Sequence, residues 1–511
     1  MQVVTGEEMR QVDRFAIEDI GMREEVLMEN AGRAWVEQLE KLYAGLCKKK
    51  IAVLVGKGNN GGDGFVIART LLDRGFHVDV WLLAAEEQWK GAAKYHKRLF
   101  ESCGYEGKNW DVLAFMEKAY DLCVDAMLGT GATGALRYPY SEAADCLNKS
   151  GSIITAVDIP SGVPAGEGDV AEEAVQADAT ITLQSAKCSA YLFPARSYYG
   201  DITAVDIGIP QSAWSVVHSK RSIWTKSDVA LSLPERSPSS HKGDHGKGLI
   251  VGGSFSMPGA VSMTASACIY SGAGLLTTAL PASILSIVSN SVPETMFLPL
   301  PEKNGYIAGE VMGTDFTFGH YDAVAAGPGL GRERGGKQLI RKLLAEVKTP
   351  LLFDADALYY LPELKQEMKQ REEPVIVTPH AGEMARLADV SIQEVNKHRF
   401  SISKEFARAY NCYVVLKGPY TIVTSPEGEQ SINPTGNEAL ARGGTGDILT
   451  GIALGFMLQH RDVFSALCNA VYIHGLTADL ALQKGFTATS MASSDLIHQL
   501  PLAFRTIVSS L

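Results

Sequence analysis

Ile51-Ala52-Val53-Leu54-Val55-Gly56-Lys57-Gly58-Asn59-Asn60-Gly61-Gly62-Asp63-Gly64 decides the fold of the first part of the chain. Its five apolar residues predict a short buried strand, and Phe65 to Leu72 resumes helical spacing, so the segment reads strand, loop, helix. At the carboxyl end of a parallel sheet such a loop offers backbone N–H groups to a ligand, helped by the positive end of the following helix. A tight turn needing positive φ would account for the glycines but not for Asn59, Asn60 and Asp63 together. The spacing is neither the Gly-x-Gly-x-x-Gly dinucleotide fingerprint nor the Gly-Lys-Ser/Thr ending of a P-loop.

Outward from this segment the alternation continues. Thr5 with Glu8 reads as a capping box, and Met9, Val12, Phe15, Ala16 and Ile20 follow at helical spacing. Further buried strands are predicted at His77 to Leu83, Leu122 to Met127, Ile153 to Ile159 and Ala179 to Leu183, which implies a mainly parallel sheet covered on both faces. After Val205-Asp206-Ile207-Gly208-Ile209-Pro210 the pattern stops, and Gln211 through Ser240 carries no strong strand, which places a domain boundary near Val217 to Arg221. Strands then recur near Leu249, Leu275, Ala323, Leu351, Val375 and Val414 with helices between them. The pattern class repeats but the sequence does not, so the chain reads as two different α/β domains, with Lys365 to Glu373 as solvated surface.

The length of 511 residues fits two or more domains, and 46% hydrophobic with 21% charged residues is a globular composition. Fifty glycines favour many sharp turns and close approaches of backbone to ligand. A net charge of -11 gives no support to a nucleic-acid partner, so anionic ligands must be held locally by backbone N–H groups. The eight cysteines form no Cys-x-x-Cys or zinc-type spacing and read as reduced, mostly buried thiols of a cytoplasmic protein. The polar, acidic start at Met1 to Glu8 is unlike a signal peptide. Gly248 to Val292 lacks charge, but Gly, Ser, Asn and Pro interrupt it, so a buried strand and helix are expected rather than a membrane segment.

Two later strand ends supply partners for the first glycine loop. Asp125-Ala126-Met127-Leu128-Gly129-Thr130-Gly131-Ala132-Thr133-Gly134-Ala135 is one, and Val157-Asp158-Ile159-Pro160-Ser161-Gly162 is the other. Such ends converge on one edge of a parallel sheet, so Asn60, Asp125, Asp158 and Ser161 are expected to face one pocket, although each singly would serve as a helix or turn cap. Together with Asp206 to Pro210, these motifs make residues 1–216 resemble the NAD(P)H-hydrate epimerase family. The resemblance implies a Rossmann-like domain that binds hydrated NAD(P)H and potassium, with Asn60, Asp125 and Ser161 as potassium ligands. It also implies Asn59, Asn60, Gly61, Gly62, Asp63, Gly129, Thr130, Gly131, Ala132, Thr133, Gly134, Ala135, Tyr140 and Asp158 against the substrate. Asp158 is the candidate acid/base, since exchanging the C6 epimers needs proton movement as the C6 hydroxyl or a ring bond opens and recloses.

A second glycine run, Arg442-Gly443-Gly444-Thr445-Gly446-Asp447, precedes the helical stretch Ile448 to Leu454. Small residues at a helix start expose N–H donors to developing phosphoryl charge, and Asp447 is placed to take a proton from an attacking hydroxyl. A first-turn cap would explain Asp447 but not the glycines. Lys417-Gly418-Pro419-Tyr420-Thr421, Gly327-Pro328-Gly329-Leu330-Gly331, Asp354-Ala355-Asp356, Thr378-Pro379-His380-Ala381-Gly382-Glu383 and Asn433 to Asn437 also fall near predicted strand ends or turns. With His241 to Gly248 and Gly252-Gly253-Ser254, they make residues 222–511 resemble the ribokinase-like NAD(P)H-hydrate dehydratase family. The resemblance implies Ala260, Gly329, His380 and Asp447 at the hydrate, and Lys417, Gly418, Pro419, Tyr420, Thr421 and Gly446 at the nucleotide, with ADP as co-substrate and magnesium. Phosphorylating a hydroxyl turns a poor leaving group into phosphate, so kinase architecture can serve a dehydration.

The combined expectation is an α/β chain of two three-layer αβα domains, Rossmann-like then ribokinase-like. It would epimerise the R and S hydrates of NADH and NADPH (NADHX and NADPHX) and dehydrate the S form with ADP, as a cytoplasmic homo-oligomer without nucleic-acid or membrane partners. A small-molecule kinase acting on hydroxymethyl or hydroxyethyl substrates, and a first domain that binds without turnover, are the alternatives.

Overall fold

A computed structural model describes the chain except residues 133, 219, 309–319 and 510–511. The chain divides into two compact units, Met1–Lys220 and Arg221–Leu511.

The first unit contains β1 (Val3–Val4), β2 (Lys50–Val55), β3 (His77–Leu82), β4 (Gly107–Asn109), β5 (Leu122–Ala126), β6 (Ile153–Val157), β7 (Ala179–Leu183), β8 (Ala186–Lys187) and β9 (Asp201–Val205). Seven of these form a parallel sheet in the order β4-β3-β2-β5-β6-β7-β9, while β1 pairs with β8. The chain winds one way from β2 to β4 and the other way from β5 onward, so the order reverses between β2 and β5. Ligands of open α/β sheets bind in the crevice that such a reversal opens at the carboxyl ends of the strands. One face of the sheet, including Val53, Val55 and Val124, packs against Trp35, Leu39 and Phe65 of the helices Glu24–Leu42 and Asn59–Asp73. Trp81 packs edge-on against Trp110 and Phe115, and its indole N–H donates to Tyr120 at 2.9 Å. The expected capping box at Thr5 is present and starts the helix Gly6–Glu18.

In the second unit, β10 (Arg221–Ile223), β11 (Lys247–Val251), β12 (Leu275–Pro281), β13 (Met296–Leu300), β14 (Glu302–Lys303) and β15 (Tyr306–Ile307) come first. They are followed by β16 (Ala323–Ala326), β17 (Leu351–Phe353), β18 (Val375–Val377), β19 (Cys412–Leu416), β20 (Ile422–Thr424) and β21 (Gln430–Ile432). Ten strands make one sheet in the order β10-β21-β20-β19-β18-β17-β16-β11-β12-β13, and β14 with β15 forms a hairpin. The sheet is parallel except where β20 runs antiparallel to β19 and β21. Alternate residues of each strand enter opposite cores. Ile250, Ala325, Leu352 and Ile376 pack with the helices Pro258–Tyr270, Thr445–Met457, Val463–Gln483 and Ser493–Val508. Leu249, Val324, Phe353 and Val377 pack on the other side with Arg334–Glu346, Ala381–Ala388 and Arg399–Tyr410. Two cores around one sheet make three layers. Here the order reverses between β11 and β16, which opens a second crevice.

The structure departs from the sequence reading at the margins of this sheet. β10 lies within the stretch expected to hold no strong strand, and β13, β20 and β21 add strands that the apolar pattern does not single out. β10 is three residues at the sheet edge, and its Arg221 side chain reaches Gln430 in place of an apolar run. The charge-free stretch 248–292 is strand and helix, as expected. Val463–Gln483 is long and apolar enough by length and composition to cross a membrane, and 72% of its most apolar window is buried in the second unit.

Candidate active sites

In the first unit the loop after β2 meets the loop after β5. A methyl group on Gly61 would lie 1.7 Å from the Gly56 carbonyl oxygen, so the helix Asn59–Asp73 starts where backbone touches backbone and only glycine fits. This brings Asn60 beside Gly129, whose added Cβ would sit 3.3 Å from that of Asn60. Asn60 is buried, and its amide nitrogen has no partner among the described residues. Asp125, fully buried at the end of β5, accepts from the Ser161 N–H at 2.7 Å, the Ser161 hydroxyl at 2.7 Å and the Met127 N–H at 3.2 Å. Burial nevertheless pushes its carboxyl up to about 6. Ser161 Oγ also accepts from the Leu128 N–H at 2.9 Å, so Asn60, Asp125 and Ser161 border one Leu128–Gly129 turn.

The other residues expected at that site each have their own local contacts. Asn59 donates to Glu24 at 2.9 Å, and Gly62 and Asp63 are buried in the first turns of the helix. Arg10 of the helix Gly6–Glu18 holds the Thr130 carbonyl at 3.1 Å, and the Tyr140 hydroxyl accepts from the Lys57 N–H at 3.4 Å. Ala132 donates its N–H to Gly129, while Gly131, Gly134 and Ala135 are exposed. Thr133 lies outside the described residues.

Asp158 follows β6 at φ +68°, a left-handed conformation that a non-glycine residue keeps only when its surroundings impose it. Its Oδ1 accepts from the Leu183 N–H at 2.9 Å, from Thr182 Oγ1 at 3.0 Å and from the ammonium of Lys187. Lys187 is 1% exposed and also donates to the Ser185 and Leu183 carbonyls. Sequence reasoning missed this lysine. It is the single charged residue between Thr180 and Ala195, a signal that marks a buried partner for an acid.

In the second unit Gly444 adopts φ +95° ahead of the helix Thr445–Met457, turning the glycine run back across the sheet. Gly446 then lies over a buried ion pair: an added Cβ there would be 3.4 Å from Lys417 Nζ and 3.9 Å from Asp354 Oδ2. Lys417 donates to Asp354 Oδ1 at 2.8 Å, and Thr450, one turn beyond Asp447, donates to Asp354 Oδ2 at 2.6 Å. Glu383 stands 4.0 Å from the same ammonium. Burial, and after it the Asp354 charge, push Asp447 up to about 7 against the opposing pull of Lys417. That value suits a general base near neutrality.

The Lys417 to Thr421 turn is clamped by Arg399, which donates to the carbonyls of Leu416, Lys417 and Tyr420, while Thr421 bonds the Gly418 carbonyl at 3.2 Å. Gly418 and Pro419 are exposed on it. Gly329, at φ +65°, packs on Ala260, its added Cβ falling 3.1 Å from the alanine methyl. His380 caps the helix Ala381–Ala388: its Nδ1 accepts from the N–H groups of Gly382 and Glu383 at 3.0 and 3.3 Å. Nδ1 is thereby occupied, and Nε2 stands 3.4 Å from the Glu383 carboxylate. His474, whose Nε2 has no partner among the described residues, is pushed down to about 4 by burial and is a neutral support beneath Thr445.

Residues 24–189 match the family model described as YjeF-related protein N-terminus, and residues 248–502 match the one described as NAD(P)H-hydrate dehydratase. The bifunctional NAD(P)H-hydrate repair enzyme Nnr of Moorella thermoacetica is 36% identical over 517 residues, spanning 99% of this chain and 97% of that one. The chain belongs to the bifunctional NAD(P)H-hydrate repair enzyme family. The Coxiella burnetii member is 35% identical over 94% of both chains. Among solved structures, the ADP/ATP-dependent NAD(P)H-hydrate dehydratase of Bacillus subtilis, co-crystallised with ATP and Mg2+, is 33% identical with a TM-score of 0.50, covering 57% of this chain and 100% of that one. The repair enzyme's two units are accordingly Rossmann-like and ribokinase-like. Lys187 beside the first cluster, and Thr450, Arg399 and His474 beside the second, are residues that the motifs did not announce.

Proposed function

We propose that the chain repairs hydrated NADH and NADPH in two steps, the first unit interconverting the R and S hydrates and the second dehydrating the S form with ADP. The cluster of Asp447, Gly446, Lys417 and Asp354 at the carboxyl ends of β17 and β19 carries this reading. Asp447 takes the proton of the C6 hydroxyl as that oxygen attacks the terminal phosphorus of ADP and the bridging P–O bond breaks, with AMP as the leaving group. The N–H groups following Gly444 face the charge that develops on the phosphoryl oxygens. The hydroxyl has then become a phosphate, whose departure with loss of a C5 proton restores the C5=C6 double bond. Lys417 and the Gly418 to Thr421 turn hold the nucleotide phosphates, while Ala260, Gly329 and His380 border the hydrate. The carboxylate of Glu383 would suit magnesium brought in on the nucleotide, since that ion takes one or two carboxylates together with substrate phosphates.

In the first unit Asn60, Asp125 and Ser161 are assigned to potassium. The donor set is one carboxylate, one hydroxyl and one amide, all oxygen and singly charged, which suits a hard monovalent cation. The unpartnered Asn60 amide supports the assignment, because turning it presents its oxygen in place of the orphaned nitrogen. Among the described residues no group of three His, Cys, Asp or Glu side chains offers a divalent site instead. Asn59, Asp63, Tyr140, Asp158 and residues 129–132, 134 and 135 are assigned to the substrate. The deciding experiment incubates the purified chain with mixed R and S hydrates and follows recovery of reduced-nicotinamide absorbance. Complete recovery with ADP supports both activities; recovery that stops at the S fraction removes the epimerase, and none removes the dehydratase.

A further inference from the structure

Three carboxyls of the first unit lie within electrostatic reach of one buried ammonium, and one of them, Asp158, is ion-paired with it. Asp13 comes from the helix Gly6–Glu18, Asp63 from the helix Asn59–Asp73 and Asp158 from the end of β6, and each is electrostatically coupled to Lys187. Glu24 adds a further acid toward Asp13 and Asp63, and the buried Tyr199 hydroxyl feels Asp158. Three acids against one cation in a desolvated cluster cannot all be ionised. The hydrogen bonds divide the charge. Three donors, one of them cationic, converge on Asp158 Oδ1, an arrangement that suits a carboxylate, and Oδ2 is left without a partner among the described residues. Asp63 is 7% exposed and accepts no hydrogen bond among the described residues, so its neutral form is the one that burial favours. In agreement, burial first, then Asp158 and Asp13, push Asp63 well above the carboxylate range, and burial pushes Asp13 up to about 6.

We propose that Asp63 is the proton donor and Asp158 the proton acceptor of the epimerisation, and that Lys187 is the positioning residue that fixes which is which. The inference rests on the reading that the first unit epimerises the hydrates. Asp63 gives its proton to the C6 hydroxyl, and the C6–O bond breaks with its electron pair leaving as water. The N1 lone pair forms an N1=C6 double bond. Water then adds to the opposite face, the π pair returns to N1, and the proton lost by the incoming water passes to Asp158 Oδ2. Nothing is oxidised or reduced, and solvent exchange returns the proton from Asp158 to Asp63. The pair works as a neutral acid facing an ionised base, a division that environment alone can impose on two carboxyls.

The test follows R-to-S conversion by the full-length protein, without nucleotide, across pH. Asp63→Asn should lower kcat at least 100-fold with KM changed only a few-fold, and the residual rate should lose its alkaline limb. Lys187→Met should move the acidic limb upward by at least one pH unit, because the ammonium that favours negative charge on Oδ1 is gone, and Lys187→Arg should restore it in part. Epimerisation in 18O-water should place one label on C6 per inversion. The proposal is overturned if Asp63→Asn keeps the parent kcat and alkaline limb, if a folded Lys187→Met keeps the parent acidic limb, or if the inverted product carries no label. Should Lys187→Met melt far below the parent, Asp63→Asn decides alone, since it leaves the ion pair in place. A parent protein that does not epimerise at all would instead refute the epimerase reading itself.

Discussion

Replacing Lys417 by methionine should destabilise the second unit in a manner that depends on pH, and the structure sets both the size and the sign. Asp354 is 1% exposed and its carboxylate is held by Lys417 at 2.8 Å and Thr450 at 2.6 Å. Burial alone would raise it, but the charge and hydrogen bond of Lys417, with help from Thr450 and Thr378, outweigh burial and hold it below the usual carboxylate range. In the parent, Asp354 thus contributes stability above its unfolded value near ~4, and that contribution is lost as pH falls through the lower folded value. Lys417→Met reverses the sign, because desolvation is left unopposed and the folded value rises above the unfolded one. The penalty then grows with pH by about 1.4 kcal/mol per unit between the two values, toward the ~3 to 5 kcal/mol typical of a buried charge stripped of its partner. At ~2 cal/mol/K of unfolding entropy per residue, ~3 kcal/mol lowers the melting temperature of a unit this size by about 5 °C. Scanning calorimetry of parent and variant at pH 8 and pH 5 should give the full drop at the higher pH and less than half at the lower. Adding Asp354→Asn should recover most of the loss at pH 8. A drop equal at both pH values, or a double variant less stable than Lys417→Met alone, would refute the argument.

Asp447→Asn should reduce nucleotide-dependent dehydration at least 100-fold while epimer exchange continues, and the parent rate should fall below pH ~7 as Asp447 takes up its proton; equal rates at pH 6 and 8 in the parent would contradict a base with this value. The first unit should be stabilised by KCl more at pH 7.5 than at pH 4.5. With its folded value raised to about 6, Asp125 favours the fold below its unfolded value, and that contribution, about 3 kcal/mol, is lost as pH rises toward 6 unless a cation offsets the charge. An equal melting shift at both pH values, or the same shift with tetramethylammonium chloride, would remove potassium from Asp125. Gly61→Ala should cost about 3 kcal/mol or more, since its methyl would fall 1.7 Å from the Gly56 carbonyl oxygen, and an unchanged melting curve would show that the two loops separate freely.

The parts of the fold written locally could be read from the chain. Ile51 to Gly64 announces strand, loop and helix because burial on both faces, glycine and helical spacing follow each other within one short segment. Asp125, Asp158, Asp354 and Asp447 could be placed on crevices because each sits where a predicted strand ends or a helix begins, and parallel sheets collect those ends along one edge. What escaped depends on distant pairing. Asp13 looks like any polar residue on an amphipathic helix until that helix folds against the site. Thr450 reads as a filler in an apolar helix, yet it holds Asp354 across 96 positions of sequence. β10 carries no apolar run because Gln430 supplies a partner for its arginine. His380 shows the converse limit: its place at a strand end was readable, but the engagement of its Nδ1 with a helix start was not.

The two units share no sequence repeat, yet they solve one electrostatic problem in the same way. Each buries a lysine against an aspartate that follows a strand, Lys187 on Asp158 and Lys417 on Asp354, and each sets a second carboxyl, Asp63 or Asp447, on the helix that opens a glycine loop. In both, burial and then the ion-paired aspartate raise the second carboxyl, while the lysine restrains the rise. The outcomes differ because the balance differs. Burial, Asp158 and the further acids Asp13 and Glu24 push Asp63 well above the ordinary carboxylate range, whereas burial and Asp354, restrained by Lys417, bring Asp447 to about 7. A carboxyl of the first kind arrives protonated and can give a proton to a departing hydroxyl. One of the second kind is half ionised at neutral pH and can take a proton from an attacking one. On the proposed reading the same C6 hydroxyl leaves as water over one loop and attacks phosphorus over the other, and the acids around the helix-borne carboxyl set the difference: Asp158, Asp13 and Glu24 for Asp63, Asp354 and Asp356 for Asp447.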